Sequence, residues 1–165
     1  MSELKQIDSL VLSEWVIYYV NKMGYADISQ LKLQKLLYYL DAWHNVYFDM
    51  PLIEDDFEAW THGPVSRKVW DYYKAYSVLY RYLVADKKKE HNIKKFLNEE
   101  QVELCQDVLD EYGDKTAYYL ECLTHSEGPW RYAREGYQSS DSCDVVIPKE
   151  LIKKYYWNKL YVKET

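Results

Sequence analysis

The fold class this sequence predicts is mostly α: a compact single-domain bundle of six to seven helices. It leaves room for a small β element near residues 57–61 and 78–84. Three observations predict it. Apolar residues recur at spacings of three and four along most of the 165-residue chain. Helix stop and start signals separate those stretches, although the chain holds only 5 glycines and 4 prolines. No linker-like segment divides the chain, so residues 1–165 read as one domain.

The elements follow in order. Asp8 or Ser9 caps a first helix whose apolar face is Leu12, Trp15, Val16, Tyr19, Val20 and Met23, and Gly24 supplies the stop. Ser29 caps the second, with Ile28 and Leu33 placed as a hydrophobic staple. Leu33, Leu36, Leu37, Leu40, His44 and Tyr47 share one face of that helix, with Trp43 at its margin, and it ends near Asp49. The stretch 51–60 reads as an extended connection containing one short strand. Gly63-Pro64 is expected to open a third helix with Pro64 at its first position. Val65, Val69, Tyr72, Tyr73 and Tyr76 would face inward from it.

Residues 78–84 alternate and suit either a strand or a helix, and Lys87-Lys88-Lys89 suits an exposed loop. Asn98 and Gln101 form a capping box ahead of the stripe Val102, Cys105, Val108, Leu109 and Tyr112, stopped by Gly113. Asp114 is expected to cap a helix running through Leu123. Pro129 begins a short helix ending near Gly136, and Pro148 starts the last, with Leu151, Ile152, Tyr155, Tyr156 and Leu160 inward.

Composition narrows the function. Hydrophobic residues at 48% and charged residues at 29% describe a folded globular protein. The 19 Tyr and 6 Trp make either a tyrosine-rich core or an aromatic binding surface. A net charge of −6 argues against nucleic-acid binding, which needs clustered Lys and Arg. Cys105, Cys122 and Cys143 form no CxxC pair, which suits a reducing cytosol. The start MSELKQIDSLVLSEW has no charged-then-apolar leader, and no apolar run approaches a membrane span. The expectation is a cytoplasmic protein with no membrane partner.

One pattern repeats. EAWTHGPVSRKVW (58–70) and LTHSEGPWRYAR (123–134) both place Thr-His ahead of Gly-Pro, an apolar residue and a basic one. The residues so marked are Trp60, His62, Gly63, Pro64, Arg67, Trp70, His125, Pro129, Trp130 and Arg131. If both Gly-Pro pairs open helices, the dipole there disfavours imidazolium, and the histidines are neutral ties that hold helix starts. The alternative is a two-histidine acid–base or metal site, for which Cys122-x-x-His125 offers one further ligand. Two helix starts assisted by Arg67 and Arg131 could also hold an anion, although no Gly-rich phosphate loop is present. Trp60 and Trp130 read as packing residues or as part of a contact surface. Glu54, Asp55, Asp56 and Glu58 read as solvent-facing or as an acidic rim for a basic partner, His44 as a core or rim histidine, and His91 as exposed. No nucleophile–base signature appears, so no catalytic residue, cofactor or metal is assigned.

Three segments together resemble the Panacea domain, the SocA-like and phage-associated GepA-type antitoxin family. They are KLQKLLYYLDAWH (32–44), FEAWTHGPVSRKVWDYYK (57–74) and LTHSEGPWRYAR (123–134), with the capped helix NEEQVELCQDVLDEYG (98–113) between the last two. The resemblance implies a helical cytoplasmic antitoxin, not an enzyme, that neutralises a toxin encoded beside it by direct binding. It leaves a second role open, as an adaptor delivering the toxin to a AAA+ protease. A third reading, from the residues alone, is a small hydrolase or metal enzyme using His62 and His125.

Overall fold

The computed structural model describes residues 3–25, 27–75, 82–89 and 91–162. Among these are seven α-helices and a three-stranded antiparallel sheet. The helices are α1 (Ser9–Met23), α2 (Gln30–Phe48), α3 (Arg67–Tyr73), α4 (Glu99–Tyr112), α5 (Ala117–Ser126), α6 (Gly128–Ala133) and α7 (Lys149–Tyr161). The strands β1 (Phe57–Trp60), β2 (Gly63–Val65) and β3 (Val146–Ile147) lie in the order β2-β1-β3.

Local chemistry sets most boundaries as the sequence predicts. The Asp8 carboxylate accepts from the amides of Leu10 and Val11, and Gly24 ends α1 at φ 70°, in the left-handed region where a side chain is disfavoured. Ser29 caps α2 through the Lys32 amide. Asn98 and Gln101 complete a reciprocal capping box on α4. The cap of α5 is Thr116, not Asp114: its hydroxyl accepts from the Tyr119 amide, three residues on, the reach an N-cap needs.

The larger correction concerns Gly63-Pro64. They do not open a helix. Thr61 and His62 form the two-residue turn of a β-hairpin, in which Trp60 pairs with Gly63 and Ala59 with Pro64. Proline is tolerated because β2 is an edge strand, where one missing amide leaves no ladder bond unmade. The helix begins only at Arg67, because the Ser66 hydroxyl is free to cap it through the Val69 amide. The predicted strand near 57–61 is therefore present, but as half of a hairpin. β3 was not expected, although the run Val145-Val146-Ile147 is β-branched throughout. Residues 78–81 of the ambiguous segment, and Tyr76, lie outside the described residues. From Tyr82 the chain is extended, bridging to Ser29, with the Leu83 amide on the Ile28 carbonyl at 2.7 Å.

At the centre is α2, packed against α1, α3, α4, α5, α7 and β2. The predicted apolar stripe is buried up to His44, whereas Tyr47 is exposed. Burial also extends to the polar side of the helix: Lys32, Gln34, Lys35 and Asp41 are all covered. Each covered polar group needs compensation, and backbone supplies much of it. Asp41 accepts the amides of Leu52 and Ile53 and pairs with Lys149. Burial still raises its carboxyl above the usual range against the pull of Lys149. His44 donates to the Met50 carbonyl at 2.6 Å and accepts from the Gln101 amide, a satisfied core histidine. Buried Glu127, at the head of α6, gathers the hydroxyls of Tyr39 and Tyr156 and the ammonium of Lys159, tying α2, α6 and α7 together. Leu160, predicted inward, is partly exposed near the end of α7.

Candidate functional site

The two echoing segments meet in space. The Trp130 indole N–H donates to the Trp60 carbonyl at 2.8 Å. Arg134, buried, donates to the Ala59 carbonyl at 2.9 Å and to the carbonyls of Gln138 and Asp141. His125 stacks on Trp130 with centroids 3.9 Å apart and 14° between planes, and its Nε2 is buried without a hydrogen-bond partner among the described residues. Burial holds His125 below the usual imidazole range. His125 lies in the last turn of α5 and His62 in the hairpin turn, so only His125 stands just ahead of a helix.

The hairpin is also held from beneath. Gln34 clamps Ser66, accepting its amide at 2.8 Å and donating to its carbonyl at 3.2 Å. Lys35 is fully buried and reaches the Pro64 carbonyl at 3.3 Å. Desolvation lowers its ammonium to about 7. Gly63 has φ 114° and lies against that lysine: a Cβ there would sit 2.4 Å from Lys35 Cε and 3.0 Å from Thr124 Oγ1. Glycine at 63 is thus required twice, for its backbone conformation and for the lysine's space.

Outside this clamp, a cleft of about 680 Å³ opens between the hairpin, α3 and the loop at 142–144. Trp60, His62, Arg67 and Trp70 line it, with Gln34 at its base. The indoles of Trp60 and Trp70 meet edge to face at 5.4 Å. Arg67 lies 5.1 Å over Trp60 and grips Glu58 with two N–H groups, at 2.8 and 3.1 Å. Burial pushes Glu58 up, but the bonds from Arg67 and Trp60 more than offset it, and its carboxyl lies below the usual range. His62 is half-exposed and bonds Glu121 of α5 at 2.6 Å.

Of the ten predicted residues, Trp60, His62, Arg67 and Trp70 therefore share the cleft. Gly63 and Pro64 form its rigid support, and His125, Pro129 and Trp130 pack behind. Trp130 is a core residue and Trp60 is only half-buried. Arg131 is exposed and lines no part of the cleft. The pair of helix starts that could have held an anion is not there, because Gly63–Val65 is a strand. Glu58 and Asp55 are not simply solvent-facing: Glu58 holds Arg67, and Asp55 accepts from the Ser66 hydroxyl at 2.6 Å. His91, expected to be exposed, stacks on Tyr18 at 4.3 Å beside Glu14.

Sequence reasoning missed Gln34, Lys35, Glu121 and Arg134. Glu121 stands one helical turn before His125, a spacing that could have flagged it. Nothing local marks Lys35 as buried. Among the described residues, no group of three or more His, Cys, Asp or Glu side chains is placed to hold a metal ion. No described histidine hydrogen-bonds a Ser, Thr or Cys side chain. No described helix is long and apolar enough to cross a membrane. The arrangement suits contact: a fixed aromatic surface edged by a cation and an imidazole–carboxylate pair.

A family model described as "Antitoxin SocA-like, Panacea domain" matches residues 33–131, more than half of the chain. The match takes in most of α2, the hairpin, α3 to α5 and the first part of α6. Neither a curated protein nor a solved structure matches the chain.

Proposed function

Because the chain belongs to the SocA-like antitoxin family with a Panacea domain, we propose that it neutralises a toxin protein encoded by the adjacent gene, and does so by binding it directly. Family membership is the observation that carries this reading. The cleft supports it as the contact surface. Trp60, Trp70 and Arg67 are large side chains already held in place by one another and by Glu58. A partner that docks there has little side-chain entropy left to remove, and Trp and Arg are the residues on which interface energy concentrates. In this reading the protein acts in the cytoplasm, needs no cofactor and makes no covalent bond.

Co-expression with the protein of the neighbouring gene tests it. The expected result is restored growth with this chain present; equal killing with and without it rejects the proposal. The double variant Arg67→Gln/Trp70→Phe should lose protection while still unfolding cooperatively above the growth temperature, since it keeps an aromatic ring against Trp60 and places no like charge beside Glu58. Toxin half-life in the same cells separates the two modes of neutralisation. Unchanged toxin levels indicate inhibition in the complex, and accelerated loss indicates delivery to a AAA+ protease.

A further inference from the structure

A second concave surface lies on other elements, between α2, α4 and the end of α7, with a volume of about 730 Å³. Its apolar lining is Trp43, Tyr47, Phe48, Leu104, Val108 and Leu160. The rim residues Tyr47 and Leu160 are 52% and 37% exposed, so the described residues do not cover this surface. The charged residues that line it are Glu100, Glu103, Asp107 and Glu111, all carboxylates. They are exposed and have no salt-bridge partner among the described residues, unlike Asp41, Asp49, Glu58 and Glu127.

Their spacing is informative. Offsets of three, four and four place the carboxylates in one stripe along α4, and Leu104, Val108 and Tyr112 form the adjacent stripe facing the groove. The acidic wall runs for three helical turns, roughly 16 Å. A charge row of helical period beside an apolar floor of the same length matches a second helix lying along it, with basic residues at i, i+3 or i+4, and i+7.

Taking the antitoxin reading as its premise, we propose that this groove docks a cationic amphipathic helix of the toxin. The apolar face of that helix would rest on Trp43, Tyr47, Leu104 and Leu160, and its Lys and Arg side chains would align with Glu100, Glu103, Asp107 and Glu111.

Two measurements test it. In the first, a synthetic 15-residue helical peptide with a Leu face and a Lys/Arg row is titrated against the full-length protein, beside a scrambled peptide of the same composition. The amphipathic peptide should bind more tightly than the scrambled one, and salt should weaken it. Glu103→Lys/Asp107→Lys should weaken binding about tenfold or more, while Glu54→Lys/Glu135→Lys, equal in charge change but off the groove, should change it less than about twofold. Equal effects of the two double variants, or equal binding of the two peptides, overturn the proposal. In the second, both double variants are co-expressed with the neighbouring gene's product. Failure of protection by the groove variant alone supports the toxin helix as the occupant. Protection by wild type and groove variant alike overturns that assignment and leaves the antitoxin reading standing. Absence of protection by the wild type rejects the antitoxin reading, and with it the toxin as occupant, while the peptide titration still decides whether the groove accepts a cationic helix.

Discussion

Lys35 lies where a side chain on Gly63 would have to go, and each residue explains the other. Gly63→Ala would force a left-handed backbone and push Cβ into Lys35 Cε and Thr124 Oγ1. It should cost roughly 2–4 kcal/mol, read as a lower denaturant midpoint at unchanged slope. Lys35 makes a pH-dependent prediction. Its folded pKa of about 7 lies below the ordinary value of about 10.4. Below about 7 the lysine is charged in both states and the full burial penalty applies. Between about 7 and 10 the folded state releases the proton while the unfolded state keeps it, so the wild type gains stability as pH rises. Lys35→Met should therefore be more stable than wild type at pH 6, by an amount on the order of a few kcal/mol, and that advantage should shrink toward pH 10. Melting curves of both proteins across this range check the sign; an advantage that does not shrink contradicts it.

Among the elements, the hairpin is where local signals point the wrong way. Gly-Pro is a fair helix start, but proline's fixed φ suits an edge strand equally well. Ser66, with a better-placed hydroxyl three residues before Val69, takes the capping role. The hairpin then depends on partners far along the chain. Arg134 satisfies carbonyls of β1 and of the 138–141 loop from one buried guanidinium. Arg134→Met should leave the Ala59 carbonyl without its donor and remove one of the bonds to each of the Gln138 and Asp141 carbonyls, at a cost of about 3 kcal/mol. Arg134→Lys should recover only part of that, because an ammonium lacks the planar fork. Thermal unfolding of the two variants beside wild type measures the difference. The N-caps and the glycine stop of α1, in contrast, need only neighbours within four residues; those at Ser29, Asn98 and Gly24 were legible from the sequence, and of the two candidates Asp8 and Ser9 it is Asp8 that caps α1.

For the whole molecule, α2 is the shared wall of nearly every other element. We therefore expect residues 1–165 to unfold as one cooperative domain. The six tryptophans lie in α1, α2, β1, α3, α6 and α7, so their fluorescence samples most of the fold. Urea transitions followed by fluorescence and by far-ultraviolet circular dichroism should coincide, whereas separated midpoints would divide the chain into two units. The candidate site was legible only in part. Of the residues that the echo of Thr-His and Gly-Pro marked, Trp60, His62, Arg67 and Trp70 come together in one cleft. Its reason was misjudged: one segment is a strand turn and the other a helix junction, and they meet because Trp130 of the second donates its indole N–H to the Trp60 carbonyl of the first.

The sequence by itself determined most of the helices, the caps at Ser29 and Asn98, and the family likeness. Those features rest on periodicity and on hydrogen bonds that close within one turn, so the residues that decide them are adjacent in the chain. Only the tertiary structure decided that Lys35 and Gln34 are buried, that Gly63 must remain glycine, and that Trp130 locks onto the hairpin. Each of these depends on which distant residues cover a side chain, and a carbonyl some thirty or seventy residues away leaves no mark on the local pattern.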